Sequence, residues 1–137
     1  MESMLPKWAD RLWCRIRRRL SRNSRPPVSR ATKEQVRACV ERGRELYNSR
    51  SYTAATEEFR HAVTLDAHDQ RALYFLANAC YKSNQYKQAM RYWEQCISAE
   101  PTTRFASLAQ EKIQHVRKQR RSGHDEMQEF FRRMTSR

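Results

Sequence analysis

The chain has 137 residues, 28 Lys/Arg against 15 Asp/Glu, and therefore a net charge of +13, a size that fits one small domain with extensions. Two glycines leave no glycine-rich phosphate loop, and the four cysteines (14, 39, 80 and 96) form no C-x-x-C and have no histidine at metal-ligand spacing. No apolar run approaches the roughly 18 residues that a bilayer span needs, and no paired carboxylates or nucleophile–base couple point to an enzyme or a cofactor.

Leu, Ile, Val and Phe make up only 21 of the residues, a fraction that with this charge would ordinarily indicate disorder. Against that, all six tyrosines and ten of the fourteen alanines lie between 36 and 103, so a core there is built from small and aromatic residues. The charge is divided as well. Residues 1–33 carry ten basic against two acidic side chains, 34–103 carry nine of each, and 104–137 carry nine against four. Basic ends around a neutral centre point to contact with nucleic acid, anionic lipid or an acidic partner.

In chain order, residues 4–20 place Leu5, Trp8, Ala9, Leu12, Trp13, Ile16 and Leu20 on one face of a helix, with Lys7, Arg11, Arg15, Arg17 and Arg18 on the rest. Such a face suits an anionic membrane surface, where arginines meet lipid phosphates, or docking on the rest of the chain or a partner. An organelle-targeting reading is opposed by Glu2 and Asp10. Residues 21–30, with Pro26-Pro27, form an extended linker. Thr32-Lys33-Glu34-Gln35 reads as a capping box that opens a helix over 33–48. Further helices are expected over 52–65, 70–83 and 85–99. A long helix over 102–121 carries Phe105, Leu108, Ala109, Ile113 and Val116 on one side. Ser122-Gly123 then breaks the chain before a short amphipathic helix with Met127, Phe130, Phe131 and Met134 at i, i+3, i+4 and i+7.

The spacing of Leu73, Leu76, Ala77, Cys80, Ala89, Trp93, Cys96 and Pro101 repeats 34 residues earlier as Cys39, Arg42, Gly43, Leu46, Ala55, Phe59, Ala62 and Ala67. A period of this length marks a repeat architecture. The pattern resembles the tetratricopeptide (TPR) family, with its W-x2-L-G-x2-Y, A-x3-F and closing P. The resemblance implies an all-α, short TPR-type solenoid, with repeats at 36–69 and 70–103 and a capping helix at 102–121 inside a domain spanning 32–121. Residues 1–31 form the basic helix and linker, and 122–137 the last short helix. Cys39, Cys80 and Cys96 then face the core as small hydrophobes in a reducing compartment, cytoplasmic, membrane-peripheral or mitochondrial. Arg42 stands where the family places a buried leucine, so the first helix is expected to be incompletely covered. Phe105-x-x-Leu108-Ala109 arrives two residues early for the 34-residue register.

The family's inner helices display ligand-contacting side chains, which here are Arg37, Arg44, Tyr47, Asn48, Arg71, Tyr74, Asn78, Tyr81 and Lys82. With no carboxylate among them, they suit a protein partner that bears an acidic or C-terminal carboxylate segment. Arg44 and Asn78, and Lys112 if the register holds, match slots of the chaperone-binding carboxylate clamp, whereas Val40 and Leu108 replace its lysines. The expected function is a non-enzymatic adaptor or scaffold subunit of a multiprotein complex. The alternative is a peripheral membrane- or RNA-associated factor in which Trp8, Leu12, Trp13, Ile16, Arg11, Arg15 and Arg18 make the main contact.

Overall fold

A computed structural model describes residues 27–135. Among them run five α-helices: α1 (Arg30–Asn48), α2 (Tyr52–Leu65), α3 (Gln70–Lys82), α4 (Tyr86–Ala99) and α5 (Arg104–Thr135). Each helix packs on the next, and the inner helices α1, α3 and α5 also touch in sequence, which makes two helix-turn-helix units closed by α5. The basic helix expected at 4–20, with Trp8, Arg11, Leu12, Trp13, Arg15, Ile16 and Arg18, lies outside the described residues. No helix among the described residues is long and apolar enough to cross a membrane.

The 34-residue period is visible in the backbone. The turns after α1 and α3 place Arg50 and Asn84 at φ 64° and 63°. Their N–H groups return to the carbonyls of Tyr47 and Tyr81 at 3.0 and 3.1 Å, and those of Ser51 and Gln85 to Leu46 and Cys80 at 2.9 and 2.8 Å. This is the Schellman closure, which satisfies the last carbonyls of each inner helix. Asp69 caps α3 by accepting from the Ala72 N–H at 2.7 Å, and 34 residues later Thr103 Oγ1 accepts from the Ala106 N–H at 3.3 Å.

Inside each unit a small residue faces an aromatic ring. Phe59 and Trp93 are at most 1 % exposed, and a Cβ placed on Gly43 would stand 2.5 to 2.9 Å from three atoms of the Phe59 ring. Phe59 stacks on Phe75 of the next helix at a centroid distance of 5.7 Å, so the ring joins the two units. The thiols of Cys39, Cys80 and Cys96 are buried and free.

Three expectations need correction. The first helix begins at Arg30 rather than Lys33: Ser29 is its cap, accepting from the Thr32 N–H at 3.1 Å, while the Thr32 hydroxyl meets Ser29 Oγ at 2.8 Å. Ser29 has the same capping chemistry as Thr32, so the helix gains nearly one turn. Arg42 stays exposed at the surface, its guanidinium reaching Glu58 of α2 at 3.1 Å, so nothing among the described residues covers it.

Second, Ser122-Gly123 does not end a helix; α5 runs through it, so the capping helix expected at 102–121 and the short helix at 122–137 are one rod. A helical glycine costs about 1 kcal/mol against alanine. Gly123 has no positive φ to favour a turn, and Glu129 pairs with Arg132 and Arg133 at 3.4 and 3.2 Å further along. Third, the third inner helix keeps the 34-residue register. Its buried Ala106, Ala109 and Ile113 are the counterparts of Ala72, Phe75 and Ala79, while the buried positions Leu73, Leu76, Ala77 and Cys80 become the exposed Ser107, Gln110, Glu111 and Gln114. The helix therefore has an inward apolar face and a polar outer face, and the stack ends.

Gly43→Ala is expected to destabilise the fold by roughly 1–2 kcal/mol, because overpacking against an enclosed ring outweighs the helical propensity that alanine gains. A urea midpoint equal to or above wild type would contradict the contact. Burial, with a smaller contribution from Asp69, pushes the Cys96 thiol from its ordinary 9.0 up to about 11. The folded state thus holds a proton that the unfolded chain releases first, so this contribution to stability is complete below about pH 9 and declines towards about pH 11. Between those values the urea midpoint of Cys96→Ala should fall less steeply than that of the wild type.

Candidate functional site

The concave face is made by α1, α3 and α5, and the period lines its residues up in rows. Arg44, Asn78 and Lys112 occupy one row at 34-residue steps, and Tyr47, Tyr81 and His115 the next. Tyr47, Tyr74, Asn78, Tyr81 and Lys82 together line a concavity of about 320 Å³, with Trp93, Lys112, His115 and Val116 completing it. Thus five of the nine residues expected to bind a ligand come together. No carboxylate is among the lining residues, which include two lysines and a histidine.

The other four are placed elsewhere. Arg37 and Arg71 line a separate hollow of about 320 Å³ at the opposite end of the inner helices, together with Glu34, Asp66 and Asp69. Arg44 lies 5.6 Å from the centroid of the Phe75 ring and is paired with Glu41 at 3.2 Å. Asn48 is the exposed last residue of α1. Glu41, which the sequence reading passed over, pairs with both Arg44 and Arg71 and neutralises the middle of the face. His115 was also missed. Its position follows from two steps of 34 from Tyr47, a signal that the misjudged register of α5 concealed.

The tyrosines form a continuous lining. Tyr81 packs on Tyr86 and Trp93 at centroid distances of 5.3 and 5.8 Å, and its hydroxyl donates to Gln119 Oε1 at 3.3 Å. Tyr74 is buried and packs on Phe75 and Phe105 at 5.6 and 5.7 Å. Burial, then the neighbouring Tyr52 and Tyr74, holds the Tyr47 phenol above its ordinary value. Asn78 Oδ1 accepts from the Trp93 indole N–H at 3.1 Å. Since the indole can only donate, this bond fixes the orientation of the amide and leaves its NH₂ to the concavity.

A further grouping lies on the other side of α1. Cys39 Sγ is 3.6 Å from His61 Nδ1 and 3.3 Å from Arg42 Nη2, a Cys/His neighbourhood that sequence spacing did not reveal. The thiol is only 3 % exposed, which closes it to an incoming substrate. Among the described residues no group of three or more His, Cys, Asp or Glu could hold a metal ion.

Two family models match the chain side by side. The tetratricopeptide repeat model covers residues 36–69, and the Fis1 C-terminal tetratricopeptide repeat model covers 70–116. Their junction falls at the Asp69 cap of α3, and the second match ends on Val116, the last buried residue of α5. A search of curated proteins found no match. Asn78→Leu should leave the buried indole N–H without an acceptor and cost about 1–3 kcal/mol, measured as a lower urea midpoint; an unchanged midpoint would show that the bond to Trp93 contributes nothing.

Proposed function

Because the chain belongs to the tetratricopeptide-repeat family, we propose that it is a protein-interaction adaptor whose concave face takes an acidic or carboxylate-bearing segment of a partner protein. The observation that carries this reading is the concavity lined by Tyr47, Tyr74, Asn78, Tyr81, Lys82, Lys112 and His115, with cationic and amide donors beside aromatic rings and no carboxylate. Lysines attract an anionic ligand, the Asn78 amide gives it a directed hydrogen bond, and the tyrosines cover apolar side chains between the charges. Glu41 restricts this role to the end of the face that carries Tyr47, Asn78, Lys82 and Lys112, because it already occupies Arg44 and Arg71. A ligand of the full carboxylate-clamp type is disfavoured by the same pairing and by Val40 and Leu108. The three buried free thiols support a reducing compartment.

The test is affinity capture from nuclease-treated lysate, followed by anisotropy titration of labelled peptides from the captured proteins. Lys82→Glu/Lys112→Glu should weaken an acidic peptide on the order of 100-fold, with Arg37→Ala nearly neutral. A deletion of residues 1–26 should retain the same partners. If the double variant binds like wild type while the deletion captures only background, the groove reading fails and the basic N-terminal segment carries the function.

A further inference from the structure

Every residue of α5 from Arg117 to Thr135 is exposed, and beyond Arg120 the helix projects from the body for roughly 22 Å at 1.5 Å per residue. Yet it is not a polar helix. The buried face of its first half, Ala106, Ala109, Ile113 and Val116, continues at the same alternating steps of three and four through Arg120, Gly123, Met127, Phe130 and Met134. That alternation is the a/d seam of a coiled coil. Met127, Phe130 and Met134, with the adjacent Phe131, are 61, 59, 66 and 59 % exposed. A Cβ on Gly123 would meet nothing within 4 Å.

We propose that this projecting seam is a self-association surface, which pairs antiparallel with the same segment of a second copy of the chain. The charges favour a copy over a lipid bilayer. From Arg121 to Thr135 the segment carries Arg121, Arg132 and Arg133 against Asp125, Glu126 and Glu129, a balance that neither repels its twin nor attracts an anionic surface. Pairing about a two-fold axis between residues 128 and 129 sets Met127 against Phe130 of the other copy twice. It also sets the long Met134 over the open Gly123 twice. At the flanks Glu126 faces Arg133, whose own-helix partner is Glu129, and His124 faces Phe131. A parallel arrangement would instead place Arg120 against Arg120 inside the seam.

The four apolar side chains would remove about 450 Å² per copy, on the order of 900 Å² in the pair, at the lower edge of specific interfaces. The association is therefore weak, with a dissociation constant of about 10–100 μM.

Sedimentation equilibrium of the full chain from about 5 to about 500 μM reads this directly. The wild type should pass from monomer to dimer. Phe130→Glu, at an exposed site where circular dichroism will show an intact fold, should weaken the dimer on the order of 30-fold. On a Cys14→Ser background, Gly123→Cys and Met134→Cys should form a disulfide-linked dimer when mixed and not when oxidised separately. A wild type that stays monomeric across the range overturns the proposal, and more so if it co-sediments with phosphatidylserine vesicles. Association that Phe130→Glu leaves unchanged, or equal cross-linking of each cysteine variant alone, overturns it too.

Discussion

The approach of α1 to α2 rests on a missing side chain. Gly43 lets the Phe59 ring lie against the helix backbone, closer than any β-carbon would permit. Because Phe59 also stacks on Phe75, the same ring sets where α3 lies, and the stack propagates from there. The second unit meets this constraint with Ala77 and the larger Trp93, then tethers the indole to Asn78. A core of alanines, glycine and a few rings explains how a chain so poor in aliphatic residues folds: close backbone approach replaces large side-chain volume. Asn78 belongs to both sides of α3, since one atom of its amide holds the core and the other faces the groove.

Helix identity and order could be read from the residues because the 34-residue period is strong, and the bounds of α2 matched the sequence reading. Ends and breaks were harder. Ser29 and Thr32 have equivalent capping chemistry three residues apart, and sequence alone gave no reason to prefer the earlier one. Ser122-Gly123 looked like a stop, but an open helical glycine loses only about 1 kcal/mol, which a long cooperative helix absorbs. The register of α5 was misread because Phe105 and Leu108, half-buried flanks of the seam, were taken for the signature positions. Counted from the cap at Thr103, the register holds.

The candidate groove was partly foreseen. Listing side chains by helix position found the tyrosines, Asn78 and Lys82, which the structure brings together. It could not find Glu41, because whether a carboxylate one turn from a groove residue neutralises it depends on rotamers and on the neighbouring helix. The resulting electrostatics are polarised along the face: paired charges around Glu41, donors without a carboxylate around Lys82 and Lys112.

A single helix of 32 residues carries Lys112 and His115 in its packed half and Phe130 near its tip. Such a rod behaves as a mechanical lever. A rotation of about 5° about its packed root would swing a tip some 25 Å away through about 2 Å, enough to bring side chains out of contact range. Small adjustments where α5 lines the groove are thereby amplified at its far end without any change in local helical geometry.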